Sequence, residues 1–244
     1  MYAVRKIVFF ILLTTLSIPV AMSQEKRTVQ NRPYCDLRTI HYGIHFGVNM
    51  QDLMLDNVGV QADGSEIVAD VDNWNPGFSV GVLAELRLNN NFSFRVSPSM
   101  HFGQKHLKFL NLKEFDEAGR NITMQQDMKT TYVALPLDIK FAAERYNNMR
   151  PYIFAGVTPV LNITGKKQDI LQLNKADAFL NIGLGCDFYL PFFKLIPELR
   201  FSYGLSNCID TKHAEELKDE NLRRYTGAVN NARSKMITLI FYFE

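Results

Sequence analysis

From residue 37 onward the sequence alternates apolar and polar residues with a period of two. Period two marks strands whose two faces meet different surroundings. In "FSVGVLAELRL", Phe78, Val80, Val82, Ala84, Leu86 and Leu88 share one face, while Ser79, Gly81, Glu85 and Arg87 share the other. Asn89-Asn90-Asn91 then makes a turn. Beyond it Phe92, Phe94, Val96, Met100 and Phe102 alternate with Ser93, Arg95, Ser97, Ser99 and His101. The same pattern predicts eight strands, over 37–50, 77–88, 91–104, 130–143, 150–164, 177–190, 194–207 and 234–244.

A soluble sandwich or lipocalin would show the same period with its apolar face turned inward. Two further features point to a bilayer. Most of these strands run 11 to 14 residues, enough for the ~9–11 tilted residues that cross a membrane. The connections alternate in length, at about 26, 2, 25, 6, 12, 3 and 26 residues. Short turns at one end and long loops at the other are the pattern of outer-membrane barrels. In lipid a sheet can span only if its last strand pairs with its first, and the terminal "SKMITLIFYFE" is the expected closing strand. The predicted fold is all-β: an eight-stranded antiparallel transmembrane β-barrel with short periplasmic turns and long extracellular loops.

The first 23 residues read as a cleavable export signal. Arg5 and Lys6 precede the apolar stretch Ile7 to Val20, and Ala21-Met22-Ser23 supplies small residues at the cleavage positions. The expected organisation is therefore a signal peptide over 1–23, a short periplasmic segment over 24–36 and the barrel over 37–244, placed in the outer membrane. Two of the 27 basic residues lie in the signal, leaving 25 against 25 acids. A formally neutral chain gives no electrostatic reason to bind nucleic acid. Cys35, Cys186 and Cys208 are too few and too far apart for a disulfide framework or a zinc pattern.

If the apolar face meets lipid, the opposite face lines the bore. It carries Glu85, Asp138, Asp187 and Glu198 with Arg87, Arg95, Lys140 and Arg200, four acids and four bases, all near the short-turn ends of their strands. Side chains alone fill an eight-stranded barrel, so this set reads as a structural charge network that plugs it. The upper half of the lining is small and polar, with Gly43, Gly47, Ser97, Ser99, Gly156, Gly183 and Ser202. Pro98, Pro136 and Pro159 fall inside predicted strands, where bulges are expected.

No catalytic, metal or cofactor residue is assigned. His41 and His45 are four residues apart, ~13 Å along a strand and too far for one ion. Ser97, Ser99 and His101 share a face, but no acid stands at their height to complete a triad. The first long loop holds Trp74. The last sets Asp219 four residues before Arg223 and Glu220 four before Arg224, spacing that suits a solvated helical lid or a docking surface for a protein partner.

The stretches "YGIHFGVN", "FSFRVSPSMHFGQ", "YVALPLDIKF", "PYIFAGVTP" and "SKMITLIFYFE" resemble the PorT (SprT) family of outer-membrane proteins of type IX secretion and gliding. In "YVALPLDIKF" the shared positions are Tyr132, Pro136, Leu137 and Lys140. The terminal Phe243-Glu244 departs from barrels that end on an aromatic residue. The resemblance implies a non-enzymatic accessory or assembly subunit that helps export surface proteases and adhesins bearing a conserved C-terminal domain. Its implied partners are other type IX secretion components, alongside the lipid and lipopolysaccharide of the outer membrane, with no small-molecule substrate and no cofactor. The residues leave open a small barrel whose loops bind host or matrix ligands, and a lipid-modifying barrel enzyme.

Overall fold

The computed structural model describes residues 29–61, 65–73, 75–115, 119–164, 170–210 and 220–244, without the side chains of 72, 73, 220 and 221. The expected signal over 1–23, Trp74 and Asp219 lie outside the described residues. Contacts divide the chain into Met1–Gln30 and Asn31–Glu244, and the second unit is a closed antiparallel sheet.

Among the described residues eleven strands build it: β1 (Ile40–Asn57), β2 (Ile67–Asn73), β3 (Pro76–Arg87), β4 (Phe92–Val96), β5 (Ser99–Phe115), β6 (Asn121–Ala134), β7 (Leu137–Ala142), β8 (Met149–Asn162), β9 (Ala176–Tyr189), β10 (Lys194–Gly204) and β11 (Val229–Phe243). They form eight staves. β4 and β5 are two parts of one stave, as are β6 and β7. β2 carries the line of β3 upward, because both pair with β5. The ring closes where β1 pairs with β11, from Ile44 opposite Phe243 to Asn57 opposite Val229. The alternating terminal strand is therefore the closing strand. A helix, α1 (Glu220–Gly227), precedes it.

The prolines do not make bulges. Ala84 faces Val96 below the Pro98 break and Gly81 faces Ser99 above it, so the register of this pair of staves is unshifted. Across the Pro136 break, Val96 faces Leu137 and Ser99 faces Ala134, again without a shift. Pro159 sits inside β8, opposite Ala178. Each proline lacks an N–H, but its carbonyl still accepts from the next stave: Pro98 from Val82 at 3.0 Å, Pro136 from Ser97 at 3.2 Å and Pro159 from Leu135 at 3.1 Å. The loss of one donor interrupts the ladder without inserting a residue.

Two of the expected long loops are largely strand. β1 and β11 pair up to Asn57 and Val229, and β5 with β6 makes a hairpin paired from Ser99 opposite Ala134 to Phe115 opposite Asn121. Above the apolar belt the meaning of the two faces inverts. On β11 the outward residues Phe243, Phe241, Leu239 and Ile237 give way to Lys235 and Arg233. On β1, Met50 opposite Ile237 is followed by Asp52 opposite Lys235, and those two pair at 2.8 Å. On the β5–β6 hairpin Met100 and Phe102 point out while Ser99 and His101 are buried. A few residues higher, Lys129 and Asp127 are exposed while Leu107, Phe109 and Met128 are buried. This level marks the outer edge of the hydrocarbon. At the lower edge Phe92 meets Phe141 and Phe193 meets Phe243, with ring centroids 5.0 and 6.0 Å apart, as in an interfacial aromatic girdle.

Candidate functional site inside the barrel

Strand parity turns a column of charged side chains into the lower bore. Starting at the short-turn mouth, the His41 ring meets the Glu244 carboxylate at 2.6 Å. Glu244 pairs with Lys194, and Lys194 lies 4.0 Å from Asp187. Asp187 binds Lys140 at 2.9 Å, and Lys140 reaches Glu85 at 3.4 Å. Glu85 takes the Arg95 guanidinium at 2.9 Å, and Arg95 continues to Glu198. Glu198 and Asp138 then flank Arg200 at 2.9 and 2.7 Å. The result is one ladder of alternating sign in which nearly every group has two opposite neighbours. That arrangement is what allows charges to stand so far from water.

Aromatic rings fill the space between the rungs. Tyr152 donates its hydroxyl to Glu198 at 2.7 Å, and its ring lies under both Lys140 (4.1 Å) and Arg95 (5.1 Å). Tyr242 donates to Glu198 at 3.2 Å, and Phe154 lies under Arg200 at 4.7 Å. Gly185 and Gly183 make room for these rings, since a Cβ at either would strike Tyr152 or Phe154.

Seven of the eight sequence-predicted charges meet in this ladder: Glu85, Arg95, Asp138, Lys140, Asp187, Glu198 and Arg200. Arg87 does not. It stands half-buried at the mouth and donates to the Asp36 carbonyl (2.8 Å) and to Asn90 (3.1 Å). Lys194, Glu244 and His41 complete the lower end, and the sequence reading left them out. Lys194 shares the parity of Glu198 and Arg200, and Glu244 that of Tyr242, so extending the alternation to the strand ends would have found both. Burial alone would raise the Glu244 carboxyl, but the His41 hydrogen bond and the Lys194 ammonium overcome it and hold the group at about 2.

Above the ladder the lining is small and polar, with His45, Ser79, Ser97, Ser99, His101, Asn181 and Thr238 buried. Ser99 Oγ lies 3.1 Å from His101 Nε2, while His101 Nδ1 has no hydrogen-bond partner among the described residues, so none of their acids orients this ring. Among the described residues no group of three His, Cys, Asp or Glu could hold a metal.

Higher still the bore ends in an apolar cap, where a polar interior was expected. Leu53, Ile67, Leu107, Phe109, Met128, Ile170, Leu171, Ile209 and Val229 pack together there. Leu222 and Tyr225 of α1 lie against this cluster, the latter edge-on to Phe109 at 5.9 Å. The predicted helix thus covers the cap, and Arg224 faces Glu114 of β5 at 3.8 Å. What the sequence placed in the upper half is the middle of the bore.

A family model described as outer membrane protein beta-barrel domain matches residues 22–210. Among solved structures, Neisserial surface protein A is 11% identical over 84% of this chain and 98% of that one, with a TM-score of 0.43. OprG from Pseudomonas aeruginosa is 11% identical over 84% and 91%, at 0.41. Ail, the attachment invasion locus protein of Yersinia pestis, is 14% identical over 83% and 97%, at 0.36. No curated protein matches the chain in sequence.

Proposed function

Because the chain belongs to the family of outer membrane protein beta-barrel domains, we propose that it is an exported, non-enzymatic outer-membrane subunit that assists a secretion machine of type IX without being its conduit. The observation that carries the second half of this reading is the bore, filled by an ion ladder below and an apolar cap above. Folded cargo has no path through side chains that already touch. Activity then belongs to the surfaces: the lipid-facing wall, the periplasmic turns and the extracellular strands. The secretion assignment itself rests on the resemblance of "YVALPLDIKF" and its companion stretches to the PorT family. Export by a cleaved signal over 1–23, and contact with lipopolysaccharide and other secretion components, belong to the same proposal.

A deletion strain separates this reading from its rival. Periplasmic accumulation of unprocessed cargo supports assistance in export. Normal secretion with lost adhesion supports a barrel that binds host or matrix ligands, a reading favoured by the β5–β6 hairpin, which stands above the lipid belt and exposes Phe115 near its tip. In planar bilayers the purified barrel is expected to carry no steady current, and large stable channels would overturn the closed-bore reading.

A further inference from the structure

The segment ahead of β1 crosses the periplasmic mouth and is fastened there without joining the sheet. The Asn31 backbone N–H donates to Asn148 Oδ1 at 2.9 Å, and its side-chain amide donates to the Tyr189 carbonyl at 2.9 Å. Arg32 donates to a main-chain oxygen of Glu244 at 3.1 Å, tying the segment to β11's end. Arg145, stacked 3.6 Å over the Tyr189 ring, reaches the carbonyls of Asn31 and Arg32 at 2.5 and 3.3 Å. Asp36 is the one carboxylate in this set. It accepts the Tyr189 hydroxyl at 2.7 Å and faces Arg145 and Arg150 at 3.6 and 3.8 Å.

Apolar burial contributes little. Cys35 is the single buried side chain of residues 31–38, at 6% exposure, while Tyr34 and Leu37 stand in the open at 76% and 65%. Behind the segment lies a small polar cleft. Asp36 lines it on the strap side, and His41, Glu85, Lys140, Asp187 and Lys194 line it on the ladder side.

We propose that residues 31–38 are a detachable strap over the periplasmic mouth, bolted by the Asp36 carboxylate, which controls access to the lower end of the ion ladder. A segment held by polar contacts, with almost no buried apolar area, opens locally at far lower cost than the barrel unfolds. When it opens, Asp36 leaves the cleft wall and Cys35 enters solvent. While it is docked, burial and the adjacent Asp36 carboxylate push the Cys35 thiol up, so closure slows its chemistry twice over. The strap stands whether or not the secretion reading does.

Cys35 reports the state of the strap. The full chain, with Cys186 and Cys208 replaced by serine, is folded into phosphatidylcholine vesicles and alkylated with a maleimide, with sheet content followed by circular dichroism. Cys35 is expected to react far more slowly than in the same chain unfolded in urea. Asp36→Asn should accelerate the reaction about tenfold or more once each rate is divided by the thiolate fraction read from its own pH profile, which removes the direct effect of the carboxylate on the thiol. Tyr189→Phe, which keeps the ring under Arg145, should give a smaller rise. Labelling of the folded parent at the unfolded rate would show that the strap does not dock. Labelling of both folded variants at the parent rate would show that Asp36 is not the bolt. Either result overturns the proposal.

Discussion

At the periplasmic end the bore is filled by Glu85, Arg95, Lys140, Asp187, Glu198 and Arg200. Farther up the same staves it is filled by Leu53, Leu107, Phe109, Met128 and Val229. Both regions are buried, yet their chemistry is opposite, and the reason lies outside the barrel. Along the lower strands the outer face meets hydrocarbon, so apolar residues are used there and the interior receives what remains. Along the upper strands the outer face meets water, so Lys129 and Asp127 point out and an ordinary hydrophobic core forms within. One chain thus contains a membrane protein and a water-soluble β-structure on the same staves.

The sharpest way to break this comparison is to unbalance the lower region. Arg95→Met removes the cation between Glu85 and Glu198, both buried. It should destabilise the barrel by ~3–5 kcal/mol, the cost of leaving buried charge uncompensated. Urea titration in lipid vesicles measures it. Large-to-small changes in the cap should act differently: Leu107→Ala should loosen the upper parts of β5 and β6 to hydrogen exchange while the lower strands stay protected.

The inversion of faces predicts a second pair of effects. Leu184→Arg or Val82→Arg, each half exposed on the lipid wall, should cost ~2–4 kcal/mol. Lys129→Leu, on the outer face of the cap, should fall within about 0.5 kcal/mol, as surface changes usually do. Equal penalties at the two levels would remove the boundary between Met50 and Asp52.

A third effect is smaller and depends on pH. The Glu244 carboxyl is depressed to about 2 by His41 and Lys194 against the pull of burial. A depressed carboxyl stabilises the fold fully above its unfolded value of 4.5, and that contribution disappears as pH falls towards 2. The loss should be on the order of 2 kcal/mol after screening at the mouth. Glu244→Gln should flatten the stability profile between pH 4.5 and 2, and an unchanged profile would remove Glu244 from the ladder.

The two regions were not equally legible in the sequence. Hydrocarbon imposes one rule on every lower strand, so parity alone separated Val82 and Leu184 from Glu85 and Asp187. Under that same rule the upper strands look like loops. In "KHLKFLNLKEF" the inward residues Leu107 and Phe109 are the apolar ones, and an apolar-outward reading stops there. Along this stretch the alternation keeps its phase; only its meaning changes. Ladder partners were legible as inward charges but not as pairs, because Arg95 meets Glu198 across 103 residues of chain. Arg87 shares their parity and still misses the ladder, because it lies two residues beyond Glu85 at the very end of β3 and turns to Asp36 and Asn90 instead. The prolines were misread because a missing donor and an inserted residue look alike in sequence.

Between the two regions lies the polar layer, and it yields the smallest effect. Ser97 is 1% exposed, and its hydroxyl has no hydrogen-bond partner among the described residues. In the ladder, removing a polar group strands its partner and costs the full desolvation penalty. At Ser97 there is no partner to strand, and the hydroxyl itself is the group whose burial is unfavourable. Ser97→Ala should therefore change stability by no more than about 1 kcal/mol, with the sign towards stabilisation. Comparison of Ser97→Ala with Ser93→Ala, whose hydroxyl donates to Glu85 at 2.7 Å, isolates the difference in one residue type. Ser93→Ala should destabilise by ~1.5–3 kcal/mol, the range for a hydrogen bond to a charged group. If the two serines behaved alike in urea titration, the middle layer would belong to the same network as the ladder.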